Sequence, residues 1–340
     1  MNNFFIGIDV SKETIDVSCH NPSRFKEAEY VGQYTNRPSG YRSMVRDLRL
    51  YCGGISTGQW LFCCETTGSY DKPLCNWICG KGMFIWRESA LQIKLSKGIC
   101  RGKDDKTDSM MITDYARRHH DKAVRYEQPS PILSALKELY SHRRSLVEMR
   151  TMAQSRLSAM KFNKDNLVAR FITKDIEKEI KLLNERISIC ERKIIELIES
   201  DEEIMNNYHH IISIKGVGPV CATALIIYSG NFNNIPTANK MACYSGCASF
   251  RDQSGTSIDK GAFIKHLSRT HLKSVLSMAA LQATRTCELY TNYAKRMKSQ
   301  GKSNKVIINN VRNKLIHLVY ALVRNDCDFD EKHVFTHHKL

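Results

Sequence analysis

Long apolar runs and Cys-x-x-Cys pairs are missing from this 340-residue chain, and acidic residues are fewer than basic ones. No run of 18 or more apolar residues occurs, so we expect no membrane span. The opening residues lack the basic segment that precedes the apolar part of a secretory signal. The thirteen cysteines are an odd number with no Cys-x-x-Cys pair, which favours reduced thiols over a disulfide framework. We therefore expect a cytoplasmic protein.

Positive charge is abundant, with 51 Lys and Arg against 35 Asp and Glu and a formal net charge of +16. An excess of this size predicts a polyanionic partner, most often nucleic acid. Residues 240–325 hold fifteen of the basic residues and only three of the acidic ones. We therefore expect nucleic acid to contact mainly this quarter of the chain.

The N-terminal part, residues 1–125, alternates short β-rich runs with amphipathic stretches. Phe4–Val10 and Thr14–His20 are separated by three polar residues and predict a hairpin. Later strands, expected at Gln59–Glu65 and Met83–Glu88, alternate with helices. This order predicts a mixed α/β sheet with helices on its faces.

The rest of the chain is predicted to be helical, so the fold class is α/β plus all-α. Residues 126–209 carry an apolar seam with the 3.5-residue repeat of a coiled coil, which predicts an antiparallel helical arm with its turn near Asn163–Asn166. Residues 210–327 form a basic, mostly helical domain. Residues 328–340 lack periodicity and are expected to be a flexible tail.

Four acidic residues of the N-terminal part occupy unusual positions: Asp9 inside a strand, Glu65 at a strand end, and Asp105 and Asp108 on one helix face. If the strands are adjacent and the helix packs on them, the four carboxylates converge and require cations. Oxygen ligands suit Mg²⁺ or Mn²⁺, and two such ions support phosphodiester chemistry. Each acid alone is more often a cap or a surface charge, and Asp104 competes with Asp105 for the same helix face.

The segment Ile214–Pro219 reads IKGVGP, with glycines at Gly216 and Gly218. Two glycines between apolar helical stretches predict a tight turn whose N–H groups reach a DNA phosphate, as in a helix-hairpin-helix motif, with Lys215 beside it. An ordinary interhelical turn is the alternative.

The segment Ser249–Gly261 is polar and glycine-bearing, and we expect a loop there. A serine beside cationic groups can attack a phosphodiester while the cations stabilise the developing charge. A plain linker or a phosphate-contacting loop is the alternative. The candidate hydroxyls are Ser254, Thr256 and Ser257, and the neighbouring cations are Arg251, Lys260 and Lys265.

Five motifs in order resemble the Piv/MooV-type recombinases and the related IS110 insertion-sequence transposases. They are GIDVSK at Gly7–Lys12, ETTG at Glu65–Gly68, KDDKTD at Lys103–Asp108, GVGP at Gly216–Pro219 and QSG at Gln253–Gly255. The third match favours Asp105 over Asp104. The resemblance extends over about residues 4–325.

The resemblance implies a RuvC-type, RNase H-like N-terminal domain and a C-terminal transposase domain. It implies that Asp9, Glu65, Asp105 and Asp108 bind Mg²⁺ or Mn²⁺, two ions in all, and that Ser254 becomes joined to DNA. Ser257 is the second candidate, because the segments flanking the QSG loop depart from the family pattern. The expected nucleic-acid contacts are Lys215, Gly216, Gly218, Arg251, Lys260, Lys265, Arg269 and Lys273.

The resemblance also implies partners: donor and target DNA, a noncoding bridge RNA, and further copies of the chain, as a dimer or tetramer joined through the arm. The cell compartment would be a prokaryotic cytosol or nucleoid. Three other functions remain open. They are a Piv-type invertase without an RNA guide, a RuvC-like endonuclease that uses water, and a nucleic-acid-binding scaffold without activity.

Overall fold

The computed structural model describes residues 4–24, 26–66, 68–96, 105–128, 130–162, 168–248, 250–254, 258–263 and 270–331. Contacts divide the chain into two compact units, residues 1–128 and 129–340. In these described ranges no helix has the length and apolar character needed to cross a membrane.

The first unit contains a five-stranded sheet in the order β3-β2-β1-β4-β5. Strands β1, β2 and β3 pair antiparallel, whereas β1, β4 and β5 run parallel. The strands are β1 Phe4–Val10, β2 Thr14–His20, β3 Glu29–Thr35, β4 Trp60–Glu65 and β5 Phe84–Glu88. The helices are α1 Pro38–Tyr51, α2 Lys72–Gly80, α3 Ala90–Ser96 and α4 Asp105–Arg118.

Helices cover both faces of this sheet, and each face buries its own apolar cluster. Ile6 and Ile8 of β1 point to the face of α1 and α2. Phe5 points to the opposite face, where it packs with Ile93 of α3 and Ile112 of α4. Because successive side chains alternate between faces, Gly7 and Asp9 lie on the α4 side with Phe5.

The predicted hairpin, the two later strands and the mixed α/β sheet are confirmed, with small changes at strand ends. Strand β3 and helix α3 were not predicted. β3 is an edge strand whose residues are all exposed or half-buried, so its sequence lacks a clear apolar alternation. α3 buries only Ile93 and therefore shows little helical periodicity.

The second unit begins with two long helices, α5 Pro131–Phe162 and α6 Ala169–Glu199. Leu146 of α5 packs against Leu183, Ile187 and Cys190, which lie on the apolar seam of α6. The helical prediction for this region is confirmed. Asn163–Asn166, where we expected the turn, lie outside the described residues.

The remaining elements form a helical domain around one large core, which also takes in the ends of α5 and α6. The helices are α7 Glu202–Ile212, α8 Pro219–Ser229, α9 Ala238–Ser245, α10 Thr270–Thr286, α11 Glu288–Ser299 and α12 Asn304–Asn325. Two short strands lie between α9 and α10: β6 Phe250–Ser254 and β7 Ile258–Phe263.

Two expectations about this domain are corrected. The segment Ser249–Gly261 is not a loop throughout, because β6 and β7 pair antiparallel and Ser254 lies opposite Ile258. Serine, aspartate and glycine in these strands conceal the β signal of the aromatic and β-branched positions. Residues 328–331, expected in a flexible tail, are bonded: Asp328 contacts His210, and Phe329 N donates to Ser213 Oγ.

Candidate active site

Two parallel strands bring the first two candidate carboxylates together. In the pairing of β1 with β4, Ile8 lies opposite Cys64, so the next residues, Asp9 and Glu65, are neighbours at the carboxyl end of the sheet. Cys63 packs on the α4 side of the sheet, which places Glu65 on the same face as Asp9.

Helix α4 supplies the other two carboxylates from its first turn, which contains Asp105 and Asp108. The helix lies directly on β1 and β2. The Gly7 N–H donates to Thr113 Oγ1 at 2.9 Å, and Ser18 Oγ lies 2.6 Å from Ser109 Oγ. Because Ser109 follows Asp108, these contacts hold the acidic end of α4 beside Asp9.

The electrostatics of Asp9 show that the four groups interact. Its pKa is raised to about 6, first by burial and then by the negative charges of Asp108, Asp105 and Glu65, in that order. The Val10 N–H acts in the opposite direction. The structure therefore brings the other three predicted carboxylates within electrostatic reach of Asp9.

The oxygens of the four carboxylates are not in direct contact as a group of three or four. Within the described residues, no three of them place ligand oxygens within 4.8 Å of one another. Like charges that approach more closely raise one another's pKa unless a cation neutralises them. A set of carboxylate oxygens fits the hard-ligand preference of Mg²⁺ or Mn²⁺.

The segment between α7 and α8 is a tight turn, as predicted. Gly216 has φ +98°, and a Cβ there would lie 2.4 Å from the backbone N of Ala283 in α10. Glycine is therefore required both for the backbone conformation and for the close approach. Gly218 is the N-cap of α8, and Pro219 begins that helix.

Other predicted residues of the second unit are located only in part. Ser254 is the last residue of β6, which also contains Arg251, and Lys260 lies in β7. Lys273 lies in the first turn of α10. Four predicted or alternative residues fall outside the described ranges: Thr256, Ser257, Lys265 and Arg269.

Two family models match the chain in the regions just described. One, described as "Transposase" and named for a DEDD domain, covers residues 6–160. The other, described as "Transposase IS116/IS110/IS902 family", covers residues 208–296. The first range contains the four carboxylates, and the second contains the glycine turn and Ser254. The chain belongs to the IS110 family of transposases. It is therefore a DNA transposase or recombinase, and its DEDD domain suggests dependence on a divalent metal.

Curated relatives of this IS110-family chain agree with the assignment. The pilin gene-inverting proteins of Moraxella bovis and Moraxella lacunata are each 24% identical over 338 residues, which cover 98% of this chain and 99% of theirs. An uncharacterized 43.6 kDa protein of insertion element IS110 from Streptomyces coelicolor is 25% identical over 122 residues, or 36% of this chain and 30% of that protein.

Sequence reasoning missed two further carboxylates at this sheet edge of the IS110-family domain. Asp16 lies directly opposite Asp9 and accepts hydrogen bonds from Tyr30 OH at 2.7 Å and Gln33 Nε2 at 3.0 Å. Its position inside the apolar strand TIDVSCH was a signal of the same kind as that of Asp9. Asp16 is buried, so these two partners stabilise its carboxylate.

Glu88 lies opposite Glu65 in the pairing of β4 with β5. It accepts from Ser89 N at 2.6 Å and from Tyr115 OH at 3.2 Å. Glu88 ends the apolar run FIWRE as Glu65 ends WLFCCE, so the sequence signal was equivalent. These bonds tie the end of β5 to α4, on the same face as the four carboxylates.

The loop after Glu65 is held by an ion pair between Arg87 and the buried Asp71. Arg87 Nη2 also reaches the Gly68 carbonyl oxygen at 3.4 Å. Cys64 Sγ and Cys75 Sγ lie 3.6 Å apart beside Asp71, and among the described residues only these three His, Cys, Asp or Glu side chains place ligand atoms within 4.8 Å of one another. Hydrogen bonding to Cys75 and burial raise the pKa of the Cys64 thiol, and Arg87 neutralises Asp71, so this cluster packs the core.

Proposed function

We propose that this transposase breaks and rejoins the DNA of a mobile element, with a metal-binding carboxylate site assisting attack by Ser254 on a phosphodiester. The observation that carries the proposal is the convergence of Asp108, Asp105 and Glu65 on Asp9. The sheet order, with three antiparallel strands followed by two parallel ones, supports a RuvC-like, RNase H-like domain. A RuvC-like domain of this kind fits nucleic-acid cleavage.

The four carboxylates would hold two Mg²⁺ or Mn²⁺ ions. Bound ions of this type stabilise the charge on the attacking and leaving oxygens of a phosphodiester. Asp9 is the central ligand in this proposal, because the other three carboxylates all act on it. Glu65 is positioned by its strand end, and Asp105 and Asp108 by the contact of α4 with β1.

Ser254 would be the nucleophile, with Ser257 as the second candidate. The serine hydroxyl loses its proton and forms an ester bond to phosphorus, while the leaving DNA oxygen takes up a proton. Attack by the hydroxyl of another strand end on the ester reverses these changes and restores the serine. Strand exchange results when the attacking hydroxyl belongs to a different DNA strand from the one that left.

The basic second unit would bind the nucleic acids. Its charge favours phosphate contacts, and the glycine turn has the Lys215 cation beside it. The proposed contact residues are Lys215, Gly216, Gly218, Arg251, Lys260, Lys265, Arg269 and Lys273. The RNA partner would be a noncoding bridge RNA that pairs with donor and target DNA.

The helical arm would join copies of the chain as a coiled coil, so that carboxylates of one protomer meet the serine of another. Leu182 and Ile189 of α6 support this, because both are exposed, at 55% and 45%, and lie seven residues apart on one helix face. α6 therefore has an exposed apolar stripe, Leu182 and Ile189, in addition to the packed seam that contains Leu183 and Ile187. A dimer or tetramer would cover it.

Site-specific inversion of a resident DNA segment is the second candidate function. It is favoured by the pilin gene-inverting relatives, which match almost the whole chain. The DNA that flanks the gene distinguishes inversion from transposition. Loops in a structured noncoding segment that are complementary to the element's junctions indicate guided transposition, whereas inverted sites around another coding region indicate inversion.

Recombination in cells tests the proposal. A plasmid carrying the gene with its natural flanking DNA should yield recombinant junctions, and Asp9→Asn, Glu65→Gln, Asp105→Asn, Asp108→Asn and Ser254→Ala should each abolish them. Asp114→Asn is the matched control, since Asp114 lies on α4 in a surface pair with Arg117. Junctions formed at the control rate by the carboxylate variants would refute the metal site.

A further inference from the structure

The chain does not leave the fold where α12 ends. Asp326 adopts the left-handed conformation, with φ 49°, and the backbone turns there. Residues 326–331, which we call the acidic strap, then run back to the segment before the glycine turn. Four of the six are acidic: Asp326, Asp328, Asp330 and Glu331.

The Glu331 carboxylate is the most fully bonded group of the strap. One of its oxygens lies 2.5 Å from Lys215 Nζ. The other accepts from the backbone N of Glu288 at 2.6 Å and from Cys287 Sγ at 3.3 Å. The bond from Lys215 is the main cause of a lowered pKa for Glu331, so the group is anionic near neutral pH. Lys215 thus faces a carboxylate in the free protein.

The start of the strap is attached to the same region. His210 lies between two strap carboxylates, with Nε2 3.0 Å from Asp326 and Nδ1 2.8 Å from Asp328. The Phe329 N–H donates to Ser213 Oγ at 2.8 Å. His210, Ser213 and Lys215 all lie directly before Gly216, whereas the contacts of Glu331 with Cys287 and Glu288 lie elsewhere.

These contacts pair an acidic segment with the cationic approach to a turn that we assign to nucleic acid. An ammonium and a backbone N–H that share a carboxylate present the same donors that a phosphate group accepts. We propose that the acidic strap is an intramolecular competitor of nucleic acid, in which Glu331 occupies Lys215 until a backbone phosphate displaces it. The inference rests on the proposed role of the turn in nucleic-acid binding.

The contact is suited to exchange. Lys215 is more than half exposed, and exposed ion pairs are weak and sensitive to salt. A polyanion that brings several phosphates to the basic unit would therefore outcompete one carboxylate. The strap would then discriminate against weak or isolated anions and favour a strand that contacts several sites at once.

Binding of a labelled DNA duplex of unrelated sequence to the full chain tests the proposal. Glu331→Gln should tighten binding roughly two- to fivefold, the range expected for removal of an exposed ion pair. Glu185→Gln on α6 is the matched control, because it makes the same charge change at an exposed site on the arm. Thermal unfolding of each variant shows whether the fold is retained.

A double-variant cycle identifies the mechanism. Lys215→Gln should weaken binding, and in that background Glu331→Gln should give no gain, because the competition has lost its target. If Glu331→Gln binds no more tightly than Glu185→Gln while Lys215→Gln still weakens binding, the strap proposal is wrong and the turn keeps its role. If Lys215→Gln leaves affinity unchanged, the role of Lys215 in the turn is wrong, and the strap proposal fails with it.

Discussion

Gly7 of β1 and Thr113 of α4 are bonded to each other, with the Gly7 N–H donating to Thr113 Oγ1 at 2.9 Å. A Cβ on residue 7 would lie 2.3 Å from the Thr113 backbone N, so only glycine permits this approach. The contact sets the position of α4, which carries Asp105 and Asp108, against the strand that carries Asp9. Four carboxylates distant in sequence thereby lie near the carboxyl ends of β1 and β4.

Gly7→Ala should therefore damage the site without touching a carboxylate. The added methyl group must push α4 away from β1, at an expected cost of about 1–3 kcal/mol in the free energy of unfolding. Recombination should fall along with divalent-metal affinity. Gly80→Ala at the end of α2 is the control, because a Cβ there meets no atom within 4 Å. Equal stability and activity for the two variants would contradict the packing argument.

The pH dependence of the site follows from Asp9. Its pKa is about 6 in the folded chain, against 3.8 for an unperturbed aspartate, so the folded state retains a proton between these values that the unfolded state lacks. Without metal, this group's contribution to stability is complete below about pH 4 and is lost as the pH rises through about 6. Metal binding needs the ionised form, so metal affinity should decrease below about pH 6.

Asp9→Asn tests whether the ionised Asp9 side chain lowers the stability of the metal-free protein. Above about pH 6 the metal-free variant should be more stable than the wild type, because it lacks the buried charge, while being inactive. The difference should disappear near pH 4, where Asp9 is protonated. Thermal unfolding in the presence of a chelator measures both limits. A variant less stable than wild type at pH 7.5 would show that Asp9 is stabilised as an anion without metal.

The neighbours of Asp9 should shift its pKa in a definite order. Asp108→Asn should lower it most, Asp105→Asn less and Glu65→Gln least, because the charges act on Asp9 in that order. Carboxyl-carbon NMR of aspartate-labelled, metal-free protein measures the titration. Asp114→Asn, farther along α4, is the control and should leave the pKa unchanged. The reverse order would mean that the carboxylates are arranged differently.

In the helical arm, different residues of α6 are expected to stabilise the fold and to join copies of the chain. Ile187→Ala should destabilise the chain by about 2–5 kcal/mol, since Ile187 packs in the seam with Leu146. Glu substitutions at Leu182 and Ile189 should leave folding intact and reduce the molecular mass measured by light scattering. An unchanged mass in the double variant Leu182→Glu/Ile189→Glu would place the interface elsewhere.

Local patterns in the sequence predicted most of the sheet and the long helices. The apolar runs of β1, β2 and β4 and the seam of α6 are strong signals because burial selects their residues. Strand β3 and the hairpin of β6 and β7 were missed, since exposed or polar strands have weak periodicity. The sequence placed Asp9 and Glu65 at strand positions, but the convergence depends on Gly7, whose role is tertiary.

The residues outside the motifs were harder to predict. Asp16 and Glu88 become neighbours of Asp9 and Glu65 only through strand register, which local sequence does not specify. Glu331 contacts Lys215 across 116 residues, and nothing local marks that pairing. Side-chain pairing between distant segments is set by how helices pack, so it is read from the structure alone.

Trapping of a covalent protein–DNA adduct on a nicked substrate built from the element's own junction tests the central claim most directly. The full chain should form an adduct with Mg²⁺ or Mn²⁺ and none with a chelator. Asp9→Asn and Ser254→Ala should form none, whereas Asp114→Asn should match the wild type. An adduct that persists in Ser254→Ala would contradict the serine assignment, and metal-dependent cleavage without any adduct would identify a water-using endonuclease instead.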